Sequence, residues 1–402
     1  MENKVRVRFS LVFLCVAYFL VISNVTLIIP LLPYLTKSVG LSSGQAQLLI
    51  VCFPIIALIA NIALGPVIDR YGRKRFIILG AVGSAAVFLV TGLSSDPLHI
   101  IAGRAAAGIF VPMIGATIFA SIGDFVPLAD RPRYSGYVAS VSSVAQLISI
   151  PVSLLAGQWL SWRAPFLTFS GMFFVLSITA PFLPRPMQDP AVRAQHVRSG
   201  TGKPNSLFSN AKLNILIFTY TLFSFSVFCF LALYPSWLLS LGSDDTWQTS
   251  VTYVFIAGGV AGFVGAISFG RVSSLFPNPI VLCALISAVM TLFVLPAAYI
   301  APSLAGEAVC YAVFSFGRSM LLPIVMSSSM PLVAGNRRSS LNGLLNASFQ
   351  LAAAAGGFVG SSLYAATPSF KTVSIMASLL FFICALMCGI GAWRSNRSVV
   401  RE

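Results

Sequence analysis

Residues 65–75 read Gly65-Pro66-Val67-Ile68-Asp69-Arg70-Tyr71-Gly72-Arg73-Lys74-Arg75 and join two long apolar runs, 44–68 and 76–94. A basic loop that fixes the orientation of membrane helices would account for the arginines and the lysine. It would not account for a glycine and an aspartate at this spacing. We therefore expect the segment to take part in mechanism as well as in topology.

The sequence on both sides of this segment has the composition of a membrane protein. Hydrophobic residues make up 57% of the 402 residues, charged residues make up 9%, and the mean hydropathy is +0.91. In soluble domains about a quarter of the residues are charged. The composition therefore predicts an integral membrane chain with several spans.

The apolar runs are long enough to cross a bilayer, which requires about 20 residues per helix. Glycine, proline and charged residues separate twelve such runs. We predict an all-α membrane protein with transmembrane helices at 9–35, 44–68, 76–94, 98–122, 134–158, 164–183, 212–240, 248–270, 278–299, 303–331, 340–364 and 372–393.

One long polar segment divides the chain into two halves. It is rich in proline, glycine and arginine, which is typical of a flexible linker. We predict a six-helix bundle at 1–184, a cytoplasmic linker loop at 185–211 and a second six-helix bundle at 212–402. A weak echo between the segments before the fifth and eleventh runs favours two pseudo-symmetric halves.

The net charge of +15 follows from membrane topology and does not indicate nucleic-acid binding. Of the 25 Lys and Arg residues, Arg104 and Arg318 lie within spans, and Lys37, Arg163 and Lys371 lie on one side of the membrane. The remaining 20 fall on the other side if the N-terminus is cytoplasmic. This asymmetry predicts a multi-pass membrane protein with both termini in the cytoplasm. The short loops and the lack of a disulfide-bonded ectodomain fit the cytoplasmic (inner) membrane.

Metal binding and disulfide bonding are not indicated by the seven cysteines. All seven lie in apolar runs and none forms a C-x-x-C pair. The first apolar run follows a basic start, as in a signal peptide, but it continues past Pro30 without a small-residue cleavage site. It is therefore interpreted as a retained helix.

Residues 65–75 resemble the loop G-x-x-x-D-R-x-G-R-[RK]-x of the major facilitator superfamily, with Gly65, Asp69, Arg70, Gly72 and Arg73 at the defining positions. The resemblance implies a twelve-helix fold that works by rocker-switch alternating access. It also implies that these five residues form a cytoplasmic gate motif, in which Asp69 caps or pairs with basic groups and releases them when the gate opens.

The resemblance extends over most of the chain. Arg104-x-x-x-Gly108-x-x-x-Pro112 is similar to the family's fourth-helix motif, and Asp124 and Arg131 belong to its motif between helices four and five. Residues 150–166 resemble the drug/proton antiporter branch, especially its arabinose- and nucleoside-efflux-like members. The glycine pair expected before Pro151 is replaced by Ser149-Ile150.

Ionisable groups inside membrane spans are costly and usually functional. Arg104, Glu307 and Arg318 are the three in this sequence, and the resemblance places them on cavity-lining helices. We predict that Glu307 binds the coupled proton and that Arg104 tunes it, because a nearby cation favours the charged carboxylate. Glu307 at the headgroup boundary, or Arg104 bonded to backbone carbonyl groups, are the structural alternatives.

Polar side chains on the presumed cavity helices are the candidate solute contacts. Asn346 and Gln350 are four residues apart and share a helix face. Arg318 would bind an anionic group of the solute or satisfy carbonyl groups. The predicted set is Tyr18, Asn24, Tyr220, Arg318, Asn346 and Gln350.

The function predicted is export of a drug, sugar or nucleoside-like solute by proton antiport. Because Asn24 and Thr26 occupy the stretch of the first helix where many antiporters keep an acid, proton-coupled uptake or uniport of a polar or anionic solute stays open. A membrane enzyme or receptor is a remote alternative, since no catalytic His/Asp/Ser set is present. We predict no cofactor other than a proton gradient; the expected partners of a monomeric chain are the solute and the lipid bilayer.

Overall fold

The computed structural model describes residues 2–125, 131–183, 211–242, 244–276, 278–296, 299, 303–329, 332–333, 338–367 and 369–399. Over these ranges the chain is almost entirely helical and contains no β-strand. It separates into two compact units, Met1–Ser199 and Gly200–Glu402. The predicted linker loop lies outside the described residues, except Ala211.

The first unit contains six long helices. They are α1 (Glu2–Val39), α2 (Ser43–Tyr71), α3 (Arg73–Leu93), α4 (Pro97–Phe125), α5 (Arg131–Trp159) and α6 (Arg163–Thr179), followed by a short 3₁₀ turn at Ala180–Phe182.

The second unit contains six helical segments, of which the first is broken into two helices. These helices are α7 (Ala211–Leu231), α8 (Tyr234–Ser240), α9 (Asp245–Leu275), α10 (Pro279–Val294), α11 (Leu304–Ser329), α12 (Arg338–Ala366) and α13 (Phe370–Val399).

The predicted twelve-helix architecture is confirmed by these segments. Nine segments in the described part of the chain are long and apolar enough to cross a membrane, counting α7 and α8 together. The other three are α5, α10 and α12; α5 and α10 contribute shorter apolar stretches at Leu147–Trp159 and Pro279–Val294.

The two units share one internal packing pattern. In the first unit α1 packs on α5, α2 on α4, and α3 on α6. In the second unit the corresponding pairs are α7 with α12, α9 with α11, and α10 with α13. The same arrangement of helices is therefore built twice, as the internal echo in the sequence indicates.

The seventh span differs from the prediction, which treated 212–240 as one helix. The helix ends at Leu231 and a new one begins at Tyr234, with Pro235 in its first turn. Proline has no N–H and its ring clashes with the carbonyl group four residues earlier, here that of Leu231. The break therefore has a local cause that an apolar run does not reveal.

Close approach of α7 and α12 depends on two glycines, Gly356 and Gly360. A methyl group at Gly356 would overlap the backbone oxygen of Phe225, and one at Gly360 would overlap that of Cys229. Small residues at such positions let helix backbones approach closely, as is common in membrane bundles.

Replacing Gly360 by alanine should destabilise the protein, because the added methyl group pushes α12 away from α7. Overpacking of this kind costs about 1–3 kcal/mol. The expected result is a lower midpoint of thermal unfolding for Gly360→Ala than for wild type in detergent.

Gly343→Ala provides the matched control on the same helix, because a methyl group there meets nothing within 4 Å. Alanine also favours the helix over glycine in both variants. Equal midpoints for the two variants would contradict the close contact.

Candidate functional site

The gate motif forms the sharp connection between α2 and α3. Gly72 is the single residue between the two helices and has φ of 93°. Residues that have a side chain rarely adopt this backbone conformation, whereas glycine does so readily. Its N–H donates to the carbonyl oxygen of Ile68. Gly72 thus has a structural reason to be glycine in this motif.

The other predicted residues of the motif are placed by their backbone. Asp69 and Arg70 lie in the last turn of α2, and Arg73 begins α3. The side chains of Asp69 and Arg70, and the packing around Gly65, lie outside the described residues. Their roles in the gate stay predictions.

Lys74, which was not among the predicted site residues, ties α3 to the end of the sixth span. Its Nζ donates to the carbonyl oxygens of Pro181 (2.6 Å) and Leu183 (2.9 Å). The last carbonyl groups of a helix have no partner within that helix. The position of Lys74 beside Arg73 in the motif indicates that it could have a role. Its acceptors cannot be predicted from the local sequence, because they lie more than 100 residues away.

The motif between α4 and α5 is described only in part. Asp124 lies at the end of α4 and Arg131 begins α5. The side chains of both residues, and residues 126–130, lie outside the described part of the chain.

Arg104 is buried in α4 and bonded to α1. It is 4% exposed, and its Nη1 donates to the side-chain oxygen Oδ1 of Asn24 (2.7 Å) and to the backbone oxygen of Asn24 (3.1 Å). The guanidinium lies 4.5 Å from the centre of the Phe53 ring. A cation over an aromatic face is attracted by the ring. The guanidinium of Arg104 is therefore held by the neutral amide of Asn24 and by the aromatic ring of Phe53.

Two donors in this pair lack a hydrogen-bond acceptor among the described residues: Nε of Arg104 and Nδ2 of Asn24. Close by on α1, the hydroxyl of Ser23 lies 2.6 Å from that of Ser149, which replaces a glycine of the antiporter motif. The hydroxyl of Ser149 also donates to the carbonyl oxygen of Ala145. The serine thus adds a polar contact between α1 and α5.

Glu307 is buried near the start of α11, with 3% of the residue exposed. Its Oε2 accepts a hydrogen bond of 2.7 Å from the hydroxyl of Tyr234, the first residue of α8. The described hydrogen-bond partner of Glu307 is the neutral hydroxyl of Tyr234, in the second unit. The described hydrogen-bond partner of Arg104 is Asn24, in the first unit. The predicted pairing of Arg104 with Glu307 stays a prediction.

An aromatic cluster encloses Tyr234. Its ring stacks on Phe230 (4.7 Å between centroids) and on Tyr311 (5.3 Å). Trp237, Phe255 and Phe370 also lie against it. Aromatic pairs at such distances are favourable beyond the area that they bury. The cluster fixes the direction of the hydroxyl that faces Glu307.

The remaining predicted solute contacts are distributed over four helices. Tyr18 is half-buried on α1, and Tyr220 is buried on α7. Arg318 is half-buried on α11, seven residues beyond Tyr311. On α12, Asn346 is exposed whereas Gln350 is buried, and Oε1 of Gln350 has no hydrogen-bond partner among the described residues. Their contact with a solute stays a prediction.

The described residues include no group of three or more His, Cys, Asp or Glu side chains that could hold a metal ion. The polar side chains buried in the described helices are mostly hydroxyl and amide groups, and Arg104 and Glu307 are the charged ones.

Comparison with known proteins gives a consistent family. A family model described as Major Facilitator Superfamily matches residues 14–311. Multidrug resistance protein 2 of Bacillus subtilis (strain 168) is 26% identical over 198 residues, which are 49% of this chain and 48% of that protein. The uncharacterized MFS-type transporter YceJ of the same organism is 24% identical, over 95% of this chain and 94% of YceJ.

A solved structure has the same fold. It is the crystal structure of a bacterial homologue of the human lysosomal transporter Spinster, with a TM-score of 0.69 and 14% sequence identity. The alignment covers 96% of this chain and 95% of that chain. At this identity the likeness shows the fold alone.

Replacing Asn24 by alanine should destabilise the first unit, because the buried guanidinium of Arg104 loses its side-chain acceptor. Hydrogen bonds to charged groups contribute about 1.5–3 kcal/mol. We expect a lower midpoint of thermal unfolding in detergent. Asn24→Asp keeps the acceptor and adds an opposite charge, so it should retain the wild-type midpoint; equal losses in both variants would contradict the role of this contact.

Proposed function

Because the chain belongs to the Major Facilitator Superfamily, we propose that it exports a small organic solute in exchange for protons, by alternating access. Family membership makes it a transporter rather than an enzyme. The proposed solutes are drugs, sugars or nucleoside-like compounds. The name of the relative Multidrug resistance protein 2 favours drugs among these.

The observation that carries the proposal is the buried carboxylate of Glu307. A charged carboxylate away from water is unfavourable unless it is paired, and a proton removes that charge. The partner of Glu307 is the hydroxyl of Tyr234, which can accompany either protonation state. A group of this kind meets the requirement for binding and releasing a proton during a transport cycle.

Arg104 is the second proposed component. It is a permanent cation on α4 that is hydrogen-bonded to Asn24 and lies over the ring of Phe53. We assign it the role of tuning the proton of Glu307. The proposed solute contacts are Tyr18, Asn24, Tyr220, Arg318, Asn346 and Gln350, with Asn24 acting also as the acceptor for Arg104.

The proposed cellular setting is the cytoplasmic membrane, with a monomeric chain and both termini in the cytoplasm. The distribution of Lys and Arg supports this orientation. In it, the gate motif and the tie from Lys74 to Pro181 and Leu183 lie on the cytoplasmic side. The proposed gate motif is Gly65, Asp69, Arg70, Gly72 and Arg73, and Asp124 and Arg131 form the separate cytoplasmic motif between α4 and α5.

A second candidate function is proton-coupled uptake or uniport of a polar or anionic solute. The feature that favours it is the pair of donors, Nε of Arg104 and Nδ2 of Asn24, without acceptors among the described residues. An anionic group on a solute would supply acceptors to both. The direction of proton movement separates this function from antiport.

Proton movement in proteoliposomes tests the proposal. Purified wild type is reconstituted, and lumenal pH is followed as tetracycline, arabinose or uridine is added outside. Antiport predicts that entry of a transported solute drives protons out of the lumen, whereas symport drives them in. Glu307→Gln should abolish the proton signal while solute binding persists, because glutamine keeps the shape but cannot ionise.

Asp96→Asn is the matched control, since Asp96 is an exposed carboxylate that pairs with His99. It should leave the proton signal unchanged. Proton-coupled transport that continues in Glu307→Gln would exclude the proton role of Glu307. Solute transport without proton movement in wild type would identify a uniporter.

A further inference from the structure

The break in the seventh span places a polar side chain at a defined position. Tyr234 is the first residue of α8, and the chain turns at residues 232–233 because Pro235 follows. Trp237 N–H then donates to the carbonyl oxygen of Leu233, which closes the first turn of α8. The break therefore determines where the hydroxyl of Tyr234 lies.

The hydroxyl has little freedom to move away. Tyr234 is 0% exposed, and stacked rings hold it from α7 (Phe230) and α11 (Tyr311). Trp237, one turn further on α8, stacks on Phe370 of α13 with centroids 4.6 Å apart. A donor fixed in this way favours the charged form of the carboxylate that it faces.

Within the described part of the second unit, few titratable groups lie near the carboxylate of Glu307. Among the described residues these are Tyr234 and Cys310; Tyr311 adjoins Tyr234 and in turn interacts with the guanidinium of Arg318. The hydroxyl of Tyr311 is bonded to Ser315, two turns beyond Glu307. From α9 and α13 the cluster receives Phe255 and Phe370, which are uncharged.

Lys371, the cation of α13 that is nearest in sequence to the aromatic cluster, is directed toward Tyr299. Lys371, next to Phe370, lies over the ring of Tyr299. Among the described side chains, Tyr234 is therefore the one that is hydrogen-bonded directly to the carboxylate of Glu307, and the strength of this bond depends on the charge of the carboxylate.

We propose that Tyr234 is a positioning residue that sets the pH at which Glu307 releases its proton and that transmits the protonation state of Glu307 to α8. A hydrogen bond to a charged carboxylate is stronger than one to its neutral form. Protonation of Glu307 therefore loosens the tie between α8 and α11, and deprotonation tightens it. The inference rests on the proposed proton role of Glu307.

The test uses purified full-length protein and needs no solute. The carboxylic C=O stretching band is followed by infrared difference spectroscopy over a pH titration, and the band of Glu307 is assigned by its loss in Glu307→Gln. Tyr234→Phe keeps the ring and removes the donor. Its titration midpoint should rise by about 1 pH unit, the order expected for one hydrogen bond to a charged group.

Tyr311→Phe is the matched control, because it removes a hydroxyl from the same aromatic cluster that is not bonded to Glu307. Its midpoint should equal that of wild type. Transmission to α8 is read from tryptophan fluorescence: the pH-dependent change that is lost in Trp237→Phe should also be lost in Tyr234→Phe. Thermal unfolding of each variant confirms that it is folded.

The outcomes separate the inference from the proposed function. An unshifted midpoint in folded Tyr234→Phe, with a band that Glu307→Gln removes, would overturn the inference and leave the proton role of Glu307 intact. Equal shifts in Tyr234→Phe and Tyr311→Phe would overturn it too, because a general packing effect would then be responsible. A wild-type spectrum without a titrating band that depends on Glu307 would remove the proton role itself.

Discussion

Hydrocarbon offers no hydrogen-bond partner, so the polar groups of a chain inside a bilayer must satisfy one another. For the backbone, helices meet this requirement along the described spans, apart from the break at residues 232–233. For side chains, it connects particular helices. Arg104 finds its acceptor on α1 and Glu307 finds its donor on α8, so each buried ionisable group joins its helix to another one.

These two contacts occupy corresponding places in the two units. In each, an ionisable residue near the start of the fourth span meets a polar side chain on the first span. The chemistry differs, because the first unit carries a permanent cation and the second carries a group that can lose its charge. Duplication thus supplies one scaffold twice, and the two copies carry different ionisable groups near the start of the fourth span.

Much of the fold follows from the sequence, because a bilayer demands apolar runs of a certain length. The predicted 44–68 and 340–364, for example, are α2 (Ser43–Tyr71) and α12 (Arg338–Ala366) with a few added residues at each end. Arg104 and Glu307 were identified in the same way, since a charge inside a span stands out.

The partners of these residues were less accessible to prediction. The solute contact of Asn24 stays a prediction, whereas its role as acceptor for Arg104 was not predicted. Lys74 bonds carbonyl groups of the sixth span, which no local pattern reveals. The break before Tyr234 was missed because Ala232 and Leu233 are as apolar as their neighbours; Pro235 was the signal. Contacts between distant helices depend on packing, which hydropathy does not encode.

The break between α7 and α8 also has a kinetic consequence. Bending a continuous helix within a bilayer requires backbone hydrogen bonds to rupture where no water can replace them, at several kcal/mol each. In this chain that rupture is already built into the resting fold. Reorienting the seven residues of α8 would exchange ring contacts and the hydrogen bonds that α8 makes with Glu307 and Trp247. Reorientation of short helical segments belongs to the microsecond-to-millisecond range, and the break allows it for α8 without unwinding α7.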